Sequence, residues 1–175
     1  MQDALEEALR LDARKKIYEI IKSNPGLHFR ELQRRSGLAT GALQYHLDYL
    51  VKKHLVKTER DSKFLRYFLV RERFDDVKLM SLLRQDSIRG IVVFLMGKRS
   101  AVFETIVKNS GLSSSTVSWH LEKLVEFQIV QKYVSGKKTF YKIVDKDRVA
   151  SILVGYKESF LDSVVDNFVE VWEKL

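Results

Sequence analysis

Apolar positions first recur at intervals of three and four, with Leu11, Ile17, Ile20 and Ile21 on one face of a predicted helix. Asp12 is its expected cap and Asn24-Pro25-Gly26 its stop. The next segment, "FRELQRRSG", places Phe29 and Leu32 three apart and ends at Gly37, which can take the positive φ of a tight turn. A third helical stripe follows at Leu43, Leu47, Leu50 and Val51. The period then shortens: "LVKTERDSKFLRYFLV", residues 55–70, reads as two strands around a polar turn.

The same order returns 74 residues later. Residues 36–70 align without a gap on residues 110–144, with 11 identities in 35 positions, including Ser36/Ser110, Gly37/Gly111, His46/His120, Leu47/Leu121 and Lys63/Lys137. The register extends back to Phe29/Phe103 and Ile17/Ile91, so each repeat runs about 55 residues. In the second copy Ser135-Gly136 marks a hairpin turn inside "IVQKYVSGKKTFYKIV".

Three helices, a short turn between the second and third, and a β-hairpin predict a mainly α (α+β) chain of two winged helix-turn-helix units. The expected divisions are residues 1–73 for the first unit, 74–86 for a helical linker, 87–144 for the second unit and 145–175 for a long C-terminal helix, or two helices bent near Gly155. Its stripe runs through Val149, Ile152, Tyr156, Phe160, Val164, Phe168 and Val171 or Trp172. That stripe is expected to meet the N-terminal helix of Ala4, Leu5, Ala8 and Leu9 or to form a homodimer. A helical linker would hold the two units at a fixed separation and favour a long or bipartite site.

Charge narrows the partners. The chain carries 31 Lys+Arg against 23 Asp+Glu, a formal +8, which favours a polyanion. Residues 1–73 hold 16 basic and 10 acidic side chains and residues 74–144 hold 11 and 6, whereas residues 145–175 hold 4 and 7. Basicity therefore belongs to the repeats. Without cysteine there is no disulfide, thiolate catalysis or sulfur-ligated metal, and His28, His46, His54 and His120 are dispersed, so neither metal nor cofactor is expected. No aliphatic run approaches the roughly 18 residues of a membrane span and no signal pattern opens the chain, so a soluble, cytoplasmic protein without membrane association is expected.

"SSSTVSWHL", residues 113–121, brings several hydroxyls beside a histidine, but it lacks the glycine-flanked elbow and orienting acid of a serine nucleophile. No catalytic residue is assigned. On a helix advancing about 100° per residue from Val117, Leu121, Leu124 and Val125 fall at about 40°, 340° and 80°, while Trp119 falls at about 200° and Ser115 at about 160°. Trp119 therefore faces away from its own core, as Gly41 and Tyr45 do in the first repeat. Such an aromatic meets DNA, a neighbouring unit or the wing.

The stretch "HFRELQRRSGLATGALQYHLDYLVKKHLV", residues 28–56, resembles winged-helix DNA-binding regulators of the ArsR type, especially archaeal ones, and "SGLSSSTVSWHLEKLVEFQIV" matches the same pattern. The resemblance implies a transcription regulator that reads double-stranded DNA with both third helices. Each helix would enter the major groove by its N-terminus, whose free N–H groups suit phosphate. On that reading Ser113 caps the second helix and Ser114, Ser115 and Ser118 reach phosphates or base edges, with Thr40, Gly41 and Gln44 in these roles in the first repeat. Gln44 is the strongest base-reading candidate, its amide matching adenine. Tyr45, Trp119, His46 and His120 complete the helix candidates, and Arg60, Lys63, Lys137 and Lys138 the wing tips. A packed histidine competes with a phosphate contact at both His positions, and a solvated face competes with phosphate contact for Arg30, Arg34 and Arg35 on the second helix. Two other functional readings stay open: a tandem winged-helix protein that binds other proteins, and a chain with one unit on DNA and the other adapted for assembly. The sequence names no effector ligand.

Overall fold

A computed structural model describes residues 7–61, 63–160 and 163–173, so Ala4 and Leu5 lie outside the described residues. The chain divides into two compact units, Met1–Ser81 and Leu82–Leu175.

The first unit begins with α1 (Asp12–Ser23), followed by β1 (Leu27–His28), α2 (Phe29–Ser36), α3 (Thr40–Lys52), β2 (Val56–Arg60) and β3 (Leu65–Leu69). Helix α4 (Phe74–Leu83) then runs past the division between the units. Leu11, not Asp12, holds the cap position of α1 and makes no side-chain cap bond; Asp12 is the first helical residue, where its charge still suits the helix dipole. The strands form an antiparallel sheet in the order β1-β3-β2, with Leu27 opposite Tyr67 and Val56 opposite Leu69. Ile17 and Ile21 of α1, Leu32 of α2, Leu43, Leu47 and Leu50 of α3, and Val56, Tyr67 and Leu69 of the sheet close one core, and Leu9 packs against it.

The second unit repeats this plan with α5 (Asp86–Met96), β4 (Ala101–Val102), α6 (Phe103–Ser110), α7 (Ser114–Glu126), β5 (Val130–Ser135) and β6 (Lys138–Ile143). Its sheet has the order β4-β6-β5. The fold is therefore α+β, with two winged-helix-like units. Both begin with an apolar helix face: Ile88, Ile91, Val92 and Leu95 are buried on α5.

Helices α2 and α6, and likewise α3 and α7, start and stop at equivalent positions of the repeat. The reason lies in two backbone devices present in each copy. Gly37 at φ 71° and Gly111 at φ 66° end α2 and α6 in the left-handed region. Beside them Ser36 Oγ donates to the Gln33 carbonyl at 3.3 Å and accepts the Leu38 N–H at 3.4 Å, while Ser110 makes the same bonds to Val107 at 3.0 Å and Leu112 at 3.3 Å. The second device ends α3 and α7: His54 (φ 55°) and Gln128 (φ 56°) turn left-handed, and the N–H groups of Leu55 and Ile129 reach back to Leu50 and Leu124 at 3.0 and 2.9 Å.

The wings are built differently. In the first, Asp61 accepts the backbone N–H groups of Lys63 and Phe64 at 2.7 Å and the Arg66 Nε at 2.6 Å, and Arg66 also donates to the Gly26 carbonyl at 2.9 Å. Arg66 is only 3% exposed, so the Asp61 carboxylate is the charge that makes its burial tolerable. Burial by itself would raise the Asp61 pKa, but the two N–H donors and the guanidinium outweigh it and hold the carboxyl below its ordinary value. In the second wing Gly136 (φ 60°) makes the turn.

The C-terminal segment, expected as one long helix or two bent near Gly155, consists of α8 (Lys146–Gly155), α9 (Lys157–Phe160) and α10 (Ser163–Trp172). The helix is interrupted at Tyr156, and beyond it Val165 and Val169 are buried where the expected stripe ran through Val164 and Phe168. Val164 and Val171 are exposed. Within this unit Arg84 donates to the Ser159 carbonyl at 2.8 Å, and Lys146 Nζ donates to the Met96 and Lys98 carbonyls at 2.8 Å each.

Two stability outcomes follow from these devices. A Cβ at Gly37 or Gly111 would meet no atom within 4 Å, so alanine there costs backbone strain alone. Gly37→Ala and Gly111→Ala should each destabilise their unit by about 1 kcal/mol in urea denaturation. Asp61→Ala strands a buried guanidinium and should cost about 3 kcal/mol in the first unit by the same measurement.

Candidate nucleic-acid interface

The turn at Gly111 delivers the chain to Ser113, whose Oγ accepts the Thr116 N–H at 3.2 Å and lies 3.0 Å from Ser115 Oγ and 2.8 Å from Thr116 Oγ1. One orphan N–H of α7 is thereby satisfied and a hydroxyl cluster forms at its N-terminus. Ser114 and Ser115 are exposed and Ser118 is half-buried, with its Oγ 3.5 Å from Glu122 Oε1. In the first unit Ala39 holds the cap position and makes no side-chain bond. Thr40 Oγ1 instead accepts the Gln33 side chain at 2.8 Å, tying α2 to α3.

Both helices turn an aromatic outward. Tyr45 is 60% exposed and Trp119 is 45% exposed, while Leu43, Leu47, Val117 and Leu121 are buried behind them. Lys123 Nζ sits 3.9 Å from the centroid of the Trp119 ring, a cation–π contact that holds a positive charge on the outward face. Gly41 leaves open space where a Cβ would be, so at this position of the leading turn of α3 no side chain stands between backbone and solvent. Gln44 is exposed, but its amide donates to Asp48 Oδ1 at 2.8 Å, a bond that contact with a base must exchange.

The two histidines lie apart from this exposed row. His120 is 4% exposed and His46 is half-buried, and Nδ1 of each is buried with no hydrogen-bond partner. Each stands beside its outward aromatic with ring centroids 5.2 Å apart. For His120 the buried position puts the imidazole beneath the exposed row. Burial lowers the pKa of both, reinforced by Arg14 at His46 and Lys123 at His120. Sequence periodicity placed His120 beside the apolar stripe; its full burial depends on neighbours that only the fold supplies.

At the wings Arg60, Lys63, Lys137 and Lys138 are all exposed. In the second unit an open cavity of about 790 Å³ lies between the wing and the helices, lined by Ser118 of α7, Thr105 of α6 and Lys137, Lys138 and Thr139 of the hairpin. The wing and α7 thus line one groove, which Glu104 also borders. On α2, Arg30, Arg34 and Arg35 are exposed. Among the described residues no cluster of three or more His, Asp or Glu side chains is placed to hold a metal ion, and no helix is long and apolar enough to cross a membrane.

Residues 11–82 match a family described as an N-terminal HTH domain. The first unit is thus similar to a helix-turn-helix domain. The chain is also 31% identical over 138 residues to an uncharacterized HTH-type transcriptional regulator of Methanocaldococcus jannaschii. That match covers 79% of this chain and 35% of the relative, so the chain spans about a third of that protein's length. The family match ends one residue past the first unit, whereas the relative's similarity is longer than the 72 residues of the domain and reaches beyond it.

The buried histidines give a pH response with a definite sign. Their folded pKa values lie below the ordinary 6.5, so the unfolded chain binds more protons as the pH falls below that value, and stability present above it is progressively lost. We expect the urea midpoint of the wild type to fall between pH 7 and pH 5, and His120→Leu to reduce that fall; an unchanged pH slope in the variant would count against the assignment.

Proposed function

We propose that this chain is a transcription regulator that binds double-stranded DNA sequence-specifically through two winged-helix units of the ArsR-like, archaeal kind. The observation that carries the reading is the duplication, on a basic scaffold, of an exposed helix face with small or hydroxyl residues at its leading turn and an outward aromatic one turn later. Residues 1–73 and 87–144 are the reading domains, 74–86 the connecting segment that holds α4, and 145–175 the C-terminal element.

In this reading the N-terminal turns of α3 and α7 enter major grooves. Thr40, Ser114, Ser115 and Ser118 approach phosphates or base edges, and the open space at Gly41 permits close backbone approach. Gln44 exchanges its bond to Asp48 for an adenine edge, while Tyr45 and Trp119 cover sugars or thymine methyl groups. Arg60, Lys63, Lys137 and Lys138 grip the backbone from the wings. His46 acts from its half-buried place and His120 supports Trp119 from below. The exposed Val164 and Val171 of α10 support homodimerisation through the C-terminal segment.

A titration of labelled duplexes across salt concentrations tests the proposal. Binding should weaken linearly in log–log form with salt. Lys137→Ala should weaken all sequences alike and reduce the slope by about one. Gln44→Ala should lower discrimination at one base pair about tenfold, and Trp119→Ala should weaken binding through the second unit. Absence of salt-dependent binding to any duplex would overturn the reading, and loss confined to one unit's variants would leave the other unit to assembly.

A further inference from the structure

The two sheets have the same topology, yet their outer faces, the sides turned away from the helix core, have different surroundings. In the first unit that face carries Lys57, Glu59, Arg66 and Phe68, because their neighbours Val56, Tyr67 and Leu69 point into the core. It is closed. Phe68 is 1% exposed, its ring and the Met80 side chain both crowd Gly26, and Lys78 of α4 pairs with Glu59. Helix α4 therefore covers the sheet.

In the second unit the corresponding face is open. Register places Gln131 opposite Lys142, Tyr133 opposite Phe140 and Ser135 opposite Lys138, all on the side away from buried Val130, Tyr141 and Ile143. Gln131, Ser135 and Lys138 are exposed, and Tyr133, Phe140 and Lys142 are half-buried. The C-terminal helices, which follow this sheet as α4 follows the first, pack instead on α5 and on one another.

The open face differs from its covered counterpart in chemistry as well. Glu59 is replaced by Tyr133, Arg66 by Phe140 and Phe68 by Lys142. The two aromatic rings lie nearly parallel, 16° apart with centroids at 5.4 Å, and Lys142 Nζ stands 5.8 Å from the Tyr133 ring centre. Residues 130–144 contain Lys132, Lys137, Lys138 and Lys142 and no carboxylate. The face that α4 covers offers one buried aromatic and a carboxylate that pairs with Lys78. This one offers paired aromatics, lysines and one amide, the combination that stacks bases while neutralising phosphates.

The geometry points to a second nucleic-acid site on the outer face of the β5–β6 hairpin, one that takes single-stranded nucleic acid by stacking unpaired bases on Tyr133 and Phe140 with Lys138 and Lys142 along the backbone. Lys138 also lines the groove shared with α7, but Tyr133 and Phe140 do not. Loss of the two rings therefore separates the sites, and this one stands whether or not the helices read duplex DNA.

Fluorescence anisotropy with a labelled oligothymidine of about twelve nucleotides and with a hairpin duplex separates them. The variant Tyr133→Leu/Phe140→Leu keeps the apolar packing and every lysine but removes both stacking faces. It should weaken oligothymidine binding about tenfold or more while changing duplex binding less than twofold. Tyr133→Phe should bind oligothymidine like wild type. Gln44→Ala should leave oligothymidine binding intact. The inference is overturned if wild type does not bind the oligonucleotide, if the double variant binds it as wild type does, or if both ligands weaken in the same ratio. It is equally overturned if sedimentation shows the double variant losing self-association with oligonucleotide binding unchanged, which would make the face a protein-docking surface.

Discussion

The angle between the second and third helix of each unit depends on one short turn, and the rest of the interface depends on that angle. A serine closes the last turn of the helix with its own hydroxyl, and the glycine after it takes a left-handed φ that a side chain would resist. The following helix then starts three residues further on, at Thr40 in one copy and Ser114 in the other. With the start and direction of the helix set, helical geometry decides which side chains enter the core and which face outward. Leu43 and Leu47, or Val117 and Leu121, become anchors, and Tyr45 or Trp119 becomes surface.

On this shared frame the two units have diverged in how they manage charge. The first contains a buried guanidinium, Arg66, compensated by Asp61 and by the Gly26 carbonyl, and its hairpin mixes acids with bases. The second has no such pair at the matched positions and concentrates uncompensated lysines on its hairpin. One wing is organised from within by an ion pair, the other by a glycine turn and a stacked aromatic pair. Identical topology therefore supports surfaces of different chemistry, as expected when a fold supplies positions and the side chains supply recognition.

Much of this was legible in the chain. The helix stripes, the hairpins and the duplication follow from periodicity, and the outward direction of Trp119 follows from about 100° per residue. Less legible were features set by partners distant in sequence. Nothing near Gln44 in the chain except spacing shows that Asp48 holds its amide, although the separation of four on a helix is the signal that could have revealed it. The burial of His120 could not be read from its own helix, where it stands at the border of the apolar stripe. In the C-terminal segment the apolar spacing suited one helix or two bent near Gly155; the helix breaks at Tyr156, and beyond it Val165 and Val169 are buried.

By itself the sequence determined the local elements, their order and their twofold repetition, because propensity, apolar period and glycine placement act over a few residues. Tertiary structure decided which faces of those elements remain available. A sheet has two sides, and alternation says only that they differ. Whether the outer side is closed, as by α4 over Phe68, or open, as at Tyr133 and Phe140, depends on where the next helix packs. That choice is made by burial of its own apolar face against the whole unit.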